Sequence, residues 1–432
     1  MLCGDFSFEK HAHLANCRCV PVSDQNHTAQ PIALDLAPAE VAARLRHLPG
    51  LAFFDTAKSD GDANALSIVA AAPHEIIRGH IACDWDALRA ALAARECAHG
   101  SDDGLPHGFA AGGVDYDGTF CFGMYEDALI FRHAEQRWYS VGNLVSRMHE
   151  SPDEPTCARL DFRSAMSRER YVAMVRRAQE YIAAGDIYQV NLSHRFASLW
   201  SGEPWAFYEA LRHYSPAPHA AFLDLGGSAV LSASPELFLK MSGRAIRTRP
   251  IKGTRPRRAD AMADERSAFD LITSPKEVAE LIMITDLERN DLGSVCDFGS
   301  VTVPELLKLE RHEQVFHLVS TVEGRLRAGV DHAAAFRACF PGGSITGAPK
   351  KRAREIIAEL EPAPRGLYTG ALGWFGFNGE SQFSIAIRTV IIERDEAHFQ
   401  VGSGIVADSS PEAEWQETLD KAAGILLAAE RL

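Results

Sequence analysis

The segment Arg249-Pro250-Ile251-Lys252-Gly253-Thr254-Arg255 holds a lysine between a stiff residue and a permissive one. Pro250 fixes its own φ and Gly253 admits close approaches that a Cβ would block, an arrangement that aims the Lys252 side chain. Burial, or the neighbouring charges of Arg249 and Arg255, would weaken its preference for the charged form and leave a nucleophilic amine. A surface lysine in a basic turn is the plainer account of the same residues.

Four carboxylates stand in two pairs at helical spacing. Ser274-Pro275-Lys276-Glu277 carries the signals of a helix start: a capping serine, a proline in the first turn and an acid at the capping-box position. On that helix, whose apolar face runs through Val278, Leu281, Ile282 and Thr285, Glu277 and Glu280 are i, i+3 neighbours. Ser410-Pro411 opens a second helix on which Glu414 and Glu417 repeat the spacing, with Lys421 one turn on. Like charges so placed repel, and a hard divalent ion such as Mg²⁺ gives a reason for both pairs, because it takes oxygen ligands and keeps several waters. The plainer roles are a capping box for Glu277 with Ser274 and a solvated acid near a helix N-terminus for Glu414. Glu280 and Glu417, deeper in their helices, are the better direct ligands.

The run from Pro341-Gly342-Gly343-Ser344 to Gly347-Ala348-Pro349-Lys350 leads into a helix ending near Leu360, where backbone N–H groups can hold an anion. It is not a P-loop, because Pro349 breaks the glycine-lysine pair and no Ser or Thr follows the lysine; no GxGxxG opens a βαβ unit, so ATP and NAD are disfavoured. Val401 to Val406 reads as a second glycine-rich turn, just before the second acidic helix. Arg388 is placed in an alternating strand from Phe383 to Ile391, free either to fork onto a carboxylate or to form a surface ion pair of little worth.

These groups need elements to position them. Ser167 caps a helix with Tyr171, Met174, Val175, Ala178, Tyr181 and Ile182 on one face and Gly185 as its stop. The strand from Ile187 to Phe196 sets Tyr188, Val190 and Leu192 on one face and Gln189, Asn191 and Ser193 on the other, a polar row that lines either a site or solvent. From Pro31 to about Arg147 short apolar runs alternate with turn signals, with a helical pattern at Trp85–Arg95 and bends at Gly112-Gly113. The expected organisation is a polar arm over 1–30, a strand-rich part over 31–155 and a catalytic region over 156–432, the last two packed as one unit. Strands outnumber regular βαβ alternation, which predicts an α+β fold of antiparallel sheets with outer helices.

The chain of 432 residues, 46% hydrophobic, is long enough for a large core. Its 58 acidic against 44 basic residues, net −14, argue against nucleic acid or an anionic membrane as partner, so an anionic substrate needs a local basic or metal site. Nine cysteines without a CxxC pair, Cys17 and Cys19 being the only close ones, suit reduced thiols and neither zinc nor disulfides. No leader and no apolar run of about 18 residues is evident, so a soluble cytoplasmic protein is expected.

Taken together, these segments resemble the chorismate-utilising enzymes, which include anthranilate synthase, aminodeoxychorismate synthase, isochorismate synthase and salicylate synthase. The resemblance covers roughly residues 165–425 and runs in order through GDIYQVNLSHRF, SASPELFL, RPIKGTRPR, SPKEVAELIMITDLERNDLG, VFHLVSTVEG, FPGGSITGAPKKRA, YTGALGWF, IAIRT and GSGIVADSSPEAEWQET to Lys421. SIVAAAPHEII matches more loosely. The resemblance implies a two-sheet sandwich. It also implies that Glu280 and Glu417 bind Mg²⁺, that Glu277 and Glu414 support it through water, and that the ion grips the ring carboxylate of chorismate. Tyr368, Arg388, the backbone at Gly402 and Lys421 match the positions that hold the enolpyruvyl carboxylate. His317 and Thr254 match positions near the ring and its leaving hydroxyl, and Glu236 matches the proposed general acid.

Within that family, the enzymes that add water carry a lysine where this chain has Gln189, and anthranilate synthases usually carry alanine where it has Lys252. A lysine at that position, with IYQVN and PGGSITGAPK, is similar to aminodeoxychorismate synthase component I. Phe53-Phe54-Asp55-Thr56 stands where tryptophan-regulated anthranilate synthases show Leu-Leu-Glu-Ser. The resemblance therefore implies amination of chorismate at C4 through a covalent Lys252 intermediate, in 4-aminobenzoate and folate biosynthesis. No Gly-x-Cys-x-Gly elbow is present, Cys121 in TFCFG not qualifying, so ammonia is expected from a separate glutamine amidotransferase subunit. The alternatives are anthranilate synthase and a non-catalytic sensor of an aromatic metabolite.

Overall fold

The computed structural model describes residues 28–58, 62, 64–97, 103–150, 152–311 and 315–432. The Cys17/Cys19 pair and nearly all of the arm assigned to 1–30 lie outside the described residues; Gln30 itself belongs to a strand, Gln30–Ile32. The six described cysteines are unpaired. No helix among the described residues is long and apolar enough to cross a membrane.

Among the described residues the strands form one sheet of twelve and one of ten, and every pairing is antiparallel. Ile68, Ile130 and Leu223 of the larger sheet meet Phe109, Leu372 and Trp374 of the smaller in one apolar layer. Helices cover the outer faces: Pro204–Tyr214 and Pro411–Glu430 bury Trp205, Leu211 and Ile425 against the larger sheet, and Trp85–Ala93 and His332–Cys339 bury Trp85 and Phe336 against the smaller. The α+β sandwich with outer helices is thus the fold. Both sheets mix early and late strands, since Ala52–Asp55 pairs with His219–Asp224 and Phe109–Val114 with Ala371–Gly376.

Local signals place several elements. Ser167 accepts from the Arg170 N–H and caps Arg168–Ala183, whose buried face carries Tyr171, Met174, Val175 and Ala178. The chain leaves that helix at Gly185, φ 81°. Pro38–Leu45 is an additional helix, with proline in its first turn and Val41, Ala42 and Leu45 buried. Gly112 and Gly113 sit inside the strand Phe109–Val114 and make no bend; a Cβ on Gly112 would collide with the Cys121 carbonyl of the paired strand. The strand expected from Ile187 starts at Gln189 and runs to Leu199, leaving Tyr188 outside it and 72% exposed. Val401–Val406 is no turn: all but its last residue lies in the strand Glu396–Ile405, which pairs with Gln189–Leu199 along its length. The run Phe383–Ile391 is two strands, Glu380–Ile385 and Thr389–Glu393, broken at Arg388, whose φ is +48°.

Candidate active site

Lys252 lies on the strand Ile251–Pro256, paired with Val315–Arg325, and the register shifts between Lys252 and Thr254. The basic turn is therefore a bulged strand. Gly253 makes the bulge at φ 70°, and a Cβ there would stand 2.6 Å from Leu271 Cδ1 and 3.0 Å from Glu277 Oε2. Lys252 Nζ donates to the Ser344 carbonyl at 2.9 Å. The arginines expected to bear on it are otherwise engaged: the Arg249 guanidinium bonds Glu310, and Arg255 Nη1 lies 3.6 Å from Glu277 Oε1. The charges that meet Lys252 are instead the carboxylates of Glu236, Glu280 and Glu417.

Glu236 is buried between the strands Ala229–Ser234 and Leu237–Ser242. Burial pushes its carboxyl up, against the opposing pull of Lys252 and of hydrogen bonds from the Ser344 side chain and the Ile251 backbone. Ser344 thus holds both groups, Lys252 by its carbonyl and Glu236 by its side chain. Sequence reasoning missed this role, and its signal is the serine of FPGGSITG. The glycine loop does not present all its amides to an outside anion, because the Gly343 N–H is given to Glu288 Oε1 at 2.9 Å. Glu288 is itself buried with its second oxygen unpartnered, and burial and Asp291 both raise its pKa.

The helix Pro275–Gly293 is capped by Ser274, which accepts from the Glu277 N–H. The reciprocal half of the capping box is not formed, since the Ser274 N–H goes to Leu271 O and the Glu277 carboxylate faces Arg255. Ile282, assigned to the apolar face, is exposed, while Thr285 is buried and donates to Leu281 O at 2.6 Å. Glu280 is 7% exposed and Glu414 1%, which overturns the reading of Glu414 as a solvated acid. Lys276 bridges the two helices, 2.7 Å from Glu414 Oε1 and 3.8 Å from Glu280 Oε1. Burial pushes Glu280 up to about 7; Lys252 and Lys276 oppose the rise, and Glu277 and Glu417 add to it. Burial also works upward on Glu417, but Lys421, Lys276 and Lys252 outweigh it and hold that carboxyl below its usual range.

This donor set suits a hard divalent cation. Glu280 Oε1 and Glu414 Oε2 are buried without a hydrogen-bond partner, a cost that a cation would relieve. Among the described residues no three His, Cys, Asp or Glu form a group able to hold a metal unaided. A Mg²⁺ here would complete its shell with water and substrate oxygens, as that ion commonly does.

Thr254, His317, Arg388 and Lys421 line one cavity of about 370 Å³. Thr254 Oγ1 and His317 Nδ1 are 3.1 Å apart across paired strands. Lys421 Nζ donates to Gly402 O at 2.9 Å and to Glu417 Oε1 at 2.8 Å. A Cβ on Gly402 would come 2.5 Å from Leu192 O and 2.9 Å from the Tyr368 hydroxyl, so glycine there lets strand and tyrosine close together. No hydrogen bond or ion pair engages the Arg388 guanidinium among the described residues, and burial alone draws its pKa down. Gln189, Asn191 and Ser193, the polar row, are all buried. The Tyr368 ring lies 5.7 Å from the guanidinium of Arg365, a residue sequence reasoning also missed. The predicted residues thus gather in three linked groups: Lys252 with Glu236, the carboxylates of two helices, and the cavity wall from Thr254 to Lys421.

The chorismate binding enzyme family model matches residues 77–427. Anthranilate synthase component 1 of Thermus thermophilus is 47% identical over 279 residues, 65% of this chain and 60% of that protein. Aminodeoxychorismate synthase component 1 of Klebsiella aerogenes is 46% identical over 312 residues, 70% of this chain and 69% of that protein. The match thus spans less than two thirds of the Thermus protein's length. The crystal structure of anthranilate synthase component I from Streptococcus pneumoniae superposes with a TM-score of 0.74 at 30% identity, covering 84% of this chain and 92% of that one.

Proposed function

We propose that this chain, which belongs to the chorismate binding enzyme family, converts chorismate and ammonia to 4-amino-4-deoxychorismate as the component I of an aminodeoxychorismate synthase. The observation that carries the reading is Lys252, held by Ser344 beside the buried Glu236 and Glu280. Relatives named for the two aminations are similarly close, at 47% and 46% identity, so the choice between them rests on the site.

In the proposed reaction Lys252, as the neutral amine, attacks ring C2 and loses a proton; the double bonds shift and the C4–O bond breaks. Glu236 gives its proton to the departing hydroxyl, which leaves as water. Ammonia then attacks C4 and loses a proton, the double bonds shift back, and the C2–N bond breaks as Lys252 recovers a proton. The net change is chorismate plus ammonia to 4-amino-4-deoxychorismate plus water. Tyr368, Arg388, Lys421 and the backbone at Gly402 would hold the enolpyruvyl carboxylate, with Thr254 and His317 beside the ring. Mg²⁺, held directly by Glu280 and Glu417 and supported by Glu277 and Glu414, would orient the ring carboxylate and offset the substrate's charge. Ammonia would come from a separate glutamine amidotransferase, and the product would feed 4-aminobenzoate and folate synthesis.

The names of the Thermus and Streptococcus relatives favour a second reading, anthranilate synthase. Against it stand Lys252 and Asp55, whose carboxylate is tied to Arg212 Nε at 2.9 Å. The deciding experiment gives the purified chain chorismate, Mg²⁺ and an ammonium salt and weighs the products of wild type and Lys252→Ala. A product that keeps the enolpyruvyl group with nitrogen at C4, lost or slowed by orders of magnitude in the variant, is expected. Anthranilate from the wild type would overturn the proposal.

A further inference from the structure

Arg365 is 5% exposed and follows the helix Lys350–Leu360. A guanidinium offers five N–H groups in a rigid fork, and here all five are used. Nε donates to Glu361 Oε2 at 2.9 Å, and Nη2 to Glu361 Oε1 at 2.8 Å and Asn191 O at 2.7 Å. Nη1 donates to Ile345 O and to Thr369 Oγ1, each at 3.1 Å. Its faces are occupied too, by Tyr116 at 4.6 Å and Tyr368 at 5.7 Å.

The groups it holds come from three parts of the chain, around Asn191, Ile345 and the stretch from Glu361 to Thr369, and Ile345 and Thr369 each adjoin a site residue. Ile345 follows Ser344, whose carbonyl takes Lys252 Nζ. Thr369, at φ 61°, follows Tyr368. Asn191 lies on the strand that faces Gly402, and Glu361 also accepts from Ser193 N and Oγ. A buried ion pair such as Arg365–Glu361 is weak evidence for stability, because apolar residues of similar volume often serve the fold as well. Fixing several elements at once is what the fork adds.

Resting on the function proposed above, we propose that Arg365 is a positioning residue that sets the Tyr368 wall and the Ser344–Lys252 contact for chorismate. The test is Arg365→Lys, which keeps the charge but supplies only three donors and no fork. Folding is followed by circular dichroism, and KM and kcat for chorismate are measured with an ammonium salt. We expect KM to rise about tenfold or more, the equivalent of one lost well-placed hydrogen bond to a charged group. A residue needed only for folding would lower the active fraction, hence apparent kcat, and leave KM untouched. A folded Arg365→Lys protein with wild-type KM overturns the inference alone. A wild-type chain that does not turn over chorismate overturns the functional reading and this inference with it. Should the lysine variant fail to fold, Arg365→Met with Glu361→Gln removes both charges while keeping a side-chain oxygen at position 361 to accept from Ser193 N–H, and its KM decides in the same way.

Discussion

Glu236 is poised as an acid because water has been taken from it. Burial raises its carboxyl, while Lys252, Ser344 and the Ile251 backbone keep the rise from being larger. The protonated form is the proton donor in the proposed reaction, so turnover should fall as pH rises through the Glu236 pKa. Glu236→Gln should slow turnover by roughly 10²–10⁴ and lose that limb of the pH profile. A stability effect runs alongside. Because the folded pKa is raised, the stabilisation is complete below the ordinary glutamate value and is lost as pH climbs through the raised one. Thermal melts of wild type against the glutamine variant should therefore diverge toward alkaline pH, with the variant gaining. Parallel melts with unchanged kinetics would remove Glu236 from the mechanism. Lys252 and the four glutamates were legible as residues, since serine caps and i, i+3 spacing are local signals. The burial of Glu414 was not, because its cover comes from Lys276, distant in sequence on another helix.

At the level of elements, the site depends on two strands that pass closer than side chains allow. Gly402 stands opposite Ser193, and any Cβ on it meets the Leu192 carbonyl at 2.5 Å. Backbone cannot yield as a flexible side chain does, so Gly402→Ala should cost about 1–3 kcal/mol of stability. It should also shift the carbonyl that receives Lys421 Nζ and weaken the proposed turnover of chorismate. Denaturant titration and steady-state kinetics check the two effects, and an alanine variant with wild-type stability and KM would disprove the close-approach argument. The glycines are visible in the sequence, where their spacing suggests a turn. A glycine that bends the chain and a glycine that admits a neighbour look alike until the neighbour is known. Arg388 is a similar case, an alternating pattern broken by one left-handed residue that hydropathy does not mark.

Across the whole molecule, the two sheets share one apolar layer, and the proposed site draws on both. Lys252 and His317 lie on strands of the smaller sheet, and Gly402 and the row from Gln189 to Ser193 on strands of the larger. Phe109 sits fully buried in that layer against Tyr125 and Trp374. Phe109→Ala should cost about 3–5 kcal/mol, and turnover and near-ultraviolet circular dichroism should then be lost together at a lowered temperature. Separate transitions would show that the sheets unfold independently. The sequence by itself determined what short-range physics controls: the α+β class, the capped helices, the paired acids, the polar face of one strand and a lysine flanked by proline and glycine. Only the tertiary structure decided how these meet, because sheet register joins positions that no local period relates. Arg365 binding Asn191, 174 residues away, and Ser344 binding Lys252, 92 residues away, are contacts of that kind, and they hold the site together.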